Sequence, residues 1–157
     1  MNIQQTIFRW LKKRQLKQTN RTIVFPKFKD IRTVVILYEE GTNTTLPALK
    51  LQLEQSGKIV KTIGYEPKKD FNIWGMLKQN VKGSLPTDHF DLLIDLSEHY
   101  MVGAQYIDLT INAALKTGKR FDEIDESDQQ GILDLMVNCK PHETGEQIIH
   151  FLKMINQ

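Results

Sequence analysis

Residues 33 to 38 read TVVILY, a run of β-branched and large apolar side chains without polar alternation. A strand buried on both faces has this character, whereas a strand with one face in water alternates apolar and polar residues. Residues 58 to 64 (KIVKTIG) predict the next strand, and between the two strands Pro47 opens a predicted helix that Gly57 ends. Residues 33 to 64 therefore predict one βαβ unit with a right-handed crossover.

Further apolar runs extend this unit towards the carboxyl terminus. Residues 90 to 96 (FDLLIDL) and 132 to 138 (ILDLMVN) predict two more buried strands, with a short strand at 119 to 121 between them. Residues 106 to 115 predict a helix, and a last helix follows 141 to 145. The order of elements predicts an α/β fold with a three-layer, doubly wound, mostly parallel sheet of the flavodoxin-like or Rossmann-like kind.

The segment from residue 65 to residue 89 follows no clear periodicity. Prolines and glycines interrupt it, yet it holds too many apolar side chains for a solvated loop. We expect an irregular crossover that packs on the sheet. Its apolar residues are Phe71, Ile73, Trp74, Met76, Leu77 and Val81.

Charge is distributed unevenly along the chain. Residues 1 to 32 contain nine basic residues and one acid, Asp30, so they carry +8, whereas the whole chain carries +2 and the remainder therefore −6. Such asymmetry indicates a segment with its own electrostatic task, or one that docks on an acidic body. The expected organisation is a basic leader helix and linker over residues 1 to 32 and a single α/β domain over residues 33 to 157.

The leader predicts a basic amphipathic helix from residue 2 to about residue 18. When successive residues are placed 100° apart around a helix axis, the apolar side chains fall within an arc of about 160°. The predicted interaction surface comprises Ile3, Ile7, Phe8, Trp10 and Leu11, with the neighbouring Lys12 and Lys13. Basic residues including Arg9, Lys12, Lys13 and Lys17 are expected on the opposite side, although Arg14 falls within the apolar arc.

Three interpretations of this helix remain open. Its apolar arc could pack on its own domain, on a second copy in a homo-oligomer or on another protein, which is the simplest interpretation. A basic helix with Trp and Phe is also typical of segments that lie on an anionic membrane surface. Nucleic acid is an unfavoured partner, because no aromatic RNA-binding motif accompanies the charge.

Composition restricts the class of protein. The single cysteine, Cys139, forms no internal disulfide and is typical of a reducing compartment. The longest stretches without acidic or basic residues, such as 41 to 49 and 99 to 107, have about half the ~18 to 20 residues of a membrane-spanning helix. We expect a cytoplasmic protein, with peripheral membrane attachment as the alternative.

A cleft is expected where the carboxyl ends of the strands meet, because doubly wound sheets bind ligands there. Its polar side chains are Glu39, Glu40, Thr42, Asn43, Asp95, Ser97, Glu98 and His99. Carboxylates beside a histidine could perform acid–base chemistry, but solvated loop ends have the same composition. The glycines form no nucleotide-binding loop, and the histidines lack metal-site spacing, so the sequence predicts no cofactor and no metal.

Several segments together resemble a family of short uncharacterised proteins typical of Bacteroidetes, classed as a domain of unknown function. They are FDLLIDLS (90 to 97), AALKTGKR (113 to 120), DLMVN (134 to 138) and IIHFLKMIN (148 to 156). The strand FDLLIDL is also distantly similar to the first half of heptosyltransferase-type sugar transferases. The first resemblance implies a fold and no known site. The favoured function is a small non-catalytic binding or interaction module, and the alternative is a ligand-binding or enzymatic domain acting at the strand ends.

Overall fold

A computed structural model describes residues 3–18, 23–42 and 45–155. Five parallel strands form one sheet in the order β2-β1-β3-β4-β5. The strands are β1 (Thr33–Glu39), β2 (Ile59–Tyr65), β3 (Phe90–Asp95), β4 (Ala113–Lys119) and β5 (Leu135–Val137). This strand order is that of flavodoxin-like folds, so the predicted α/β class and three-layer architecture are confirmed.

Helices cover both faces of the sheet. They are α1 (Ile3–Gln18), α2 (Leu46–Gln55), α3 (Pro67–Asp70), α4 (Gln79–Ser84), α5 (Val102–Thr110), α6 (Glu126–Gln129) and α7 (Thr144–Ile155). One core cluster joins α2 and α7 to one face, and the other two clusters join α5, α1 and the 65–89 crossover to the opposite face. Alternate residues of β1 enter opposite clusters: Val34 and Ile36 enter the first, and Val35 and Leu37 the second. This double burial explains why β1 lacks polar alternation.

The predicted helix over 106–115 and the strand over 119–121 are both wrong in their bounds. Helix α5 ends at Thr110, and the chain from Ala113 to Lys119 forms the whole of β4. The strand was hard to recognise because Lys116 and Thr117 lie in its buried part.

Hydrogen bonds make this polar strand possible. The Lys116 ammonium donates to the carbonyls of Asp108 (2.7 Å) and Leu109 (3.3 Å) at the end of α5. The Thr117 hydroxyl donates to the carbonyl of Leu93 in β3 at 2.8 Å. Because buried polar groups with partners are tolerated in a core, β4 occupies an interior position despite its composition.

Two other predicted segments change in extent. The strand expected over 132–138 is limited to β5, and Ile132 and Leu133 instead bury their side chains next to α1. The 65–89 crossover is irregular and packed, as predicted, with Phe71 and Leu77 buried and joined by an isolated bridge. Between these two residues, however, the chain projects into solvent.

Packing of α5 on the crossover predicts the effect of one glycine substitution. A Cβ added at Gly103 would lie 2.5 Å from the Phe71 ring, whereas one added at Gly83 in α4 would meet nothing within 4 Å. Gly103→Ala should lower the free energy of unfolding by about 1 to 2 kcal/mol, since overpacking outweighs the gain in helix propensity. Gly83→Ala should raise it by about 0.5 to 1 kcal/mol. Urea unfolding measures both, and equal stabilisation by the two variants would contradict the close contact.

Candidate functional site

The loops after β1 and β3 lie side by side at the point where the strand order reverses. Leu37 of β1 pairs with Asp95 of β3, and the Leu96 amide donates to the Leu37 carbonyl at 2.8 Å. Strand β2 lies on one side of this pair, and β4 and β5 lie on the other. This is the position at which open parallel sheets bind ligands.

An open cavity of about 580 Å³ lies beyond the end of β1. Of the predicted cleft residues, only Glu39 and Glu40 line it. The other lining residues are Gly41, Glu66, Pro67, Lys68 and Met101. The Tyr38 hydroxyl donates to Glu40 Oε1 at 3.1 Å, while Glu39 Oε2 is buried and has no hydrogen-bond partner among the described residues. Three glutamates and one lysine make the lining mainly acidic.

Asp95 and Ser97 lie in the protein interior and not in the lining of this cavity. Asp95 Oδ1 accepts a hydrogen bond from the Ser97 amide at 2.8 Å, which is a local contact across one turn of the loop. The Ser97 hydroxyl in turn lies 2.7 Å from the hydroxyl of Tyr65, at the end of β2. Burial raises the pKa of Tyr65 above its ordinary value, so this phenol remains protonated.

The remaining predicted cleft residues do not converge with these. The Thr42 hydroxyl donates to the Glu39 carbonyl at 2.8 Å and closes the turn after β1. Glu98 is half-buried, His99 is exposed, and neither lines the cavity, while Asn43 lies outside the described residues. The acid–base hypothesis requires a histidine close to carboxylates at the strand ends. His99 is not brought to the cavity, so this arrangement is absent among the described strand-end residues.

A second carboxyl group, that of Asp108, lies beside Asp95 and is not among the predicted site residues. Asp108 of α5 is fully buried, and no donor among the described residues hydrogen-bonds to either of its carboxyl oxygens. Burial, and then the neighbouring Asp95, raise the pKa of Asp108 well above its ordinary range, and Lys116 opposes the shift. Hydrogen bonding to the Asp95 side chain also favours the protonated form of Asp108 and raises its pKa further. The sequence does indicate that this carboxyl group is buried. Asp108 follows Ala104 by four residues and precedes Ile111 by three, so it falls within an apolar stripe.

The acid pair predicts a stability change with pH. Because the pKa of Asp108 is raised by folding, its contribution to stability is full below the unfolded value of ~3.9 and is lost as pH rises through the folded value. Asp108→Asn, which donates to Asp95 without ionising, should remove a slope of up to about 1.4 kcal/mol per pH unit in this range. Unfolding measured from acid to neutral pH tests this, with Asp108→Ala as the destabilised control. Parallel profiles for Asp108→Asn and the original protein would contradict it.

Helix α1 does not bury the apolar arc that its sequence predicts. Phe8 is only 2% exposed and packs with Leu109, Ile132 and Leu133. By contrast, Ile3 and Trp10 are each 59% exposed. Ile7 is exposed as well, and Leu11 is half-buried.

The buried side of α1 is partly basic, and this explains the difference. Lys12, expected on the solvent side, is buried and its ammonium donates to the carbonyls of Ser127 (3.0 Å) and Asp128 (3.2 Å). Arg9 binds both carboxylate oxygens of Asp128, at 2.6 and 2.8 Å. The Arg9 guanidinium lowers the pKa of Asp128 below its ordinary value. The acidic segment containing α6 thus attracts this side of α1 and turns the apolar side outward, with Lys13 exposed beside it.

A turn over residues 72–76, next to the start of α1, exposes two further large apolar side chains. The Asn72 side chain accepts hydrogen bonds from the amides of Trp74 (2.9 Å) and Met76 (3.1 Å), and Gly75 has a positive φ of 73°. The tip of the turn exposes Ile73 by 86% and Trp74 by 45%. Gln4 Nε2 of α1 lies 3.4 Å from the Ile73 carbonyl, so the turn adjoins the start of the helix. We call five exposed apolar residues of these two elements the outer apolar face: Ile3, Ile7, Trp10, Ile73 and Trp74. Leu16 of α1 is also exposed, but it lies beside Gly131 and is not included.

Comparison with known proteins places the chain in a family without assigning a role. Residues 3–155 match the profile described as a family of unknown function (DUF6913), and the chain belongs to that family. Neither curated proteins nor solved structures give a match. In the part of the chain that the structure describes, no group of three or more His, Cys, Asp or Glu side chains is placed to hold a metal ion.

Within residues 3–18, 23–42 and 45–155, no helix has the length and apolar character required to cross a bilayer.

Proposed function

We propose that this chain is a non-catalytic interaction module that binds its partner through the outer apolar face. The observation that carries the proposal is the exposure of five large apolar side chains on two adjoining elements, α1 and the turn 72–76. Single exposed apolar residues are common on soluble proteins, whereas contiguous exposed patches mark interaction sites. The outer apolar face shares Ile3, Ile7 and Trp10 with the predicted interaction surface. It excludes Phe8, Leu11, Lys12 and Lys13, and it adds the turn.

The contacts that dock α1 on the α5 and α6 side of the molecule support this assignment, because they do not use the exposed apolar side chains. Phe8 fills an apolar pocket, and Arg9 and Lys12 bind the α6 segment. The side chains of the outer apolar face are therefore not among the contacts that dock the helix.

The strand ends support a structural role for two of the predicted cleft residues, Asp95 and Ser97. Asp95 bonds the Ser97 amide, and the Ser97 hydroxyl bonds Tyr65. Groups engaged in this way are not positioned to act on a substrate in the cavity next to Glu39, which is why we favour a non-catalytic module.

Ligand binding at the strand ends is the second candidate, favoured by the cavity itself. Its volume of about 580 Å³ falls within the range of ligand sites, ~300 to 1,000 Å³, and it lies at the reversal of strand order. The distant likeness to heptosyltransferase-type enzymes belongs with this candidate. A thermal-shift series with sugar nucleotides tests it, and a shift abolished by Glu39→Gln would favour it over the interaction module. A Bacteroidetes origin, a cytoplasmic location and a leader separate from the 33–157 domain also remain proposals.

The interaction module predicts opposite consequences for the two sides of α1. Phe8→Ala should lower the free energy of unfolding by about 3 to 5 kcal/mol, the usual range for a buried phenylalanine. The triple variant Ile3→Ser/Ile7→Ser/Trp10→Ser should change it by no more than about 1.5 kcal/mol, since exposed substitutions contribute about 0.5 kcal/mol each. Urea unfolding followed by circular dichroism measures both. If the triple variant were as unstable as Phe8→Ala, the outer apolar face would belong to the folding core and the proposal would fail.

A further inference from the structure

We infer that the partner of the outer apolar face is an anionic phospholipid surface, on which α1 and the turn 72–76 lie with their apolar side chains among the lipids. This inference rests on the proposed interaction module and identifies its partner. The partner must offer apolar contact and negative charge together. The side chains that α1 and the turn contribute to the outer apolar face are apolar, and those of Lys13 and Arg14 beside them are positively charged.

The charge on α1 is of one sign. The helix contains five basic residues and no acid. Two of them, Arg9 and Lys12, bind Asp128 or the neighbouring carbonyls on the docked side. Lys13 and Arg14 are exposed, and the Arg14 guanidinium lies 5.6 Å from the centre of the Trp10 ring. The exposed positive charge therefore borders the apolar side chains directly, as in helices that lie in a membrane interface.

The apolar side chains also have the character of a membrane interface. Both tryptophans of the chain, Trp10 and Trp74, belong to the outer apolar face. Tryptophan favours the level of the lipid headgroups, and isoleucines placed beside it reach the boundary of the acyl chains. Ile73, the most exposed of the five residues, stands at the tip of a turn fixed by Asn72, so it can enter a surface without deforming the backbone.

Two other occupants fit these features less well. A two-fold contact between the outer apolar faces of two copies would oppose the basic residues of both α1 helices with no acid on either helix to balance them. Nucleic acid would satisfy Lys13 and Arg14 but would leave the exposed isoleucines of α1 and the turn without apolar contact. Anionic lipid satisfies both sets of residues at once.

The test uses the full chain and vesicles of defined composition. Vesicles of phosphatidylcholine with phosphatidylglycerol should sediment the protein, and those of phosphatidylcholine alone should sediment much less. Since Trp10 and Trp74 are the only tryptophans, binding should also shift the fluorescence emission to shorter wavelength. Added salt should weaken binding, because the screening length falls to about 10 Å at 0.1 M.

Charge variants provide the first matched comparison. Lys13→Glu/Arg14→Glu should reduce vesicle affinity by at least about 25-fold, because each basic side chain near an anionic surface contributes about fivefold. Lys27→Glu/Lys29→Glu makes the same change in net charge on exposed lysines beside the core cluster of α2 and α7, across the sheet from α1. This control should retain most of the affinity, and an equal loss in both variants would overturn the assignment of the surface to α1.

Apolar variants provide the second comparison. Ile73→Ser should weaken vesicle binding by about tenfold or more, the effect expected for losing one inserted isoleucine. Leu51→Ser, a matched change at an exposed apolar residue of α2, should not. Normal binding by Ile73→Ser would overturn the inserted geometry.

Failure of this inference differs from failure of the interaction module. If anionic vesicles neither sediment the chain nor shift its tryptophan emission, lipid is not the partner. Dimerisation that the triple α1 variant abolishes would assign the face to a second copy and also overturn the lipid assignment. In both cases the interaction module would stand as long as the triple variant kept its stability.

Discussion

The docking of Phe8 against Leu109, Ile132 and Leu133 determines how the leader helix is presented. An isolated helix of 16 residues is marginal in water, so α1 depends on tertiary contacts for its stability. Burial of one phenylalanine contributes about 1.5 to 3 kcal/mol, and the contacts of Arg9 and Lys12 with the α6 segment fix the rotation of the helix about its axis. With this rotation fixed, the side of α1 that carries Ile3, Ile7 and Trp10 faces solvent.

The platform beneath α1 depends on polar groups that are satisfied within the sheet. Lys116 binds the last carbonyls of α5, and Asp108 of the same helix pairs with Asp95 of β3. Helix α5 thus connects the strand ends to the surface that receives Phe8, because Leu109 follows Asp108 directly.

The sequence was informative where burial is uniform and misleading where it is mixed. The central residues of strands β1 and β3 are apolar because both faces of the sheet are covered, and the two strands were predicted within one residue of their observed bounds. Strand β4 was not, since the carbonyl partners of Lys116 and the strand partner of Thr117 depend on tertiary structure. Lys12 was expected on the solvent side of α1, and this was wrong for the same reason. The carbonyls that accept hydrogen bonds from its ammonium lie more than a hundred residues away along the chain. Of the predicted strand-end residues, Glu39 and Glu40 line the cavity. Ser97 is buried with its hydroxyl against that of Tyr65, a contact between two different strand ends that the sequence does not indicate.

Amide hydrogen exchange along α1 tests the docked helix most directly. If Phe8 fixes α1 on α5, the amides in the middle of α1 should be protected in the original protein. Phe8→Ala should then remove that protection while the amides of β1 and β3 remain protected. Fast exchange throughout α1 in the original protein, or protection that persists in Phe8→Ala, would contradict the docking on which the outer apolar face depends.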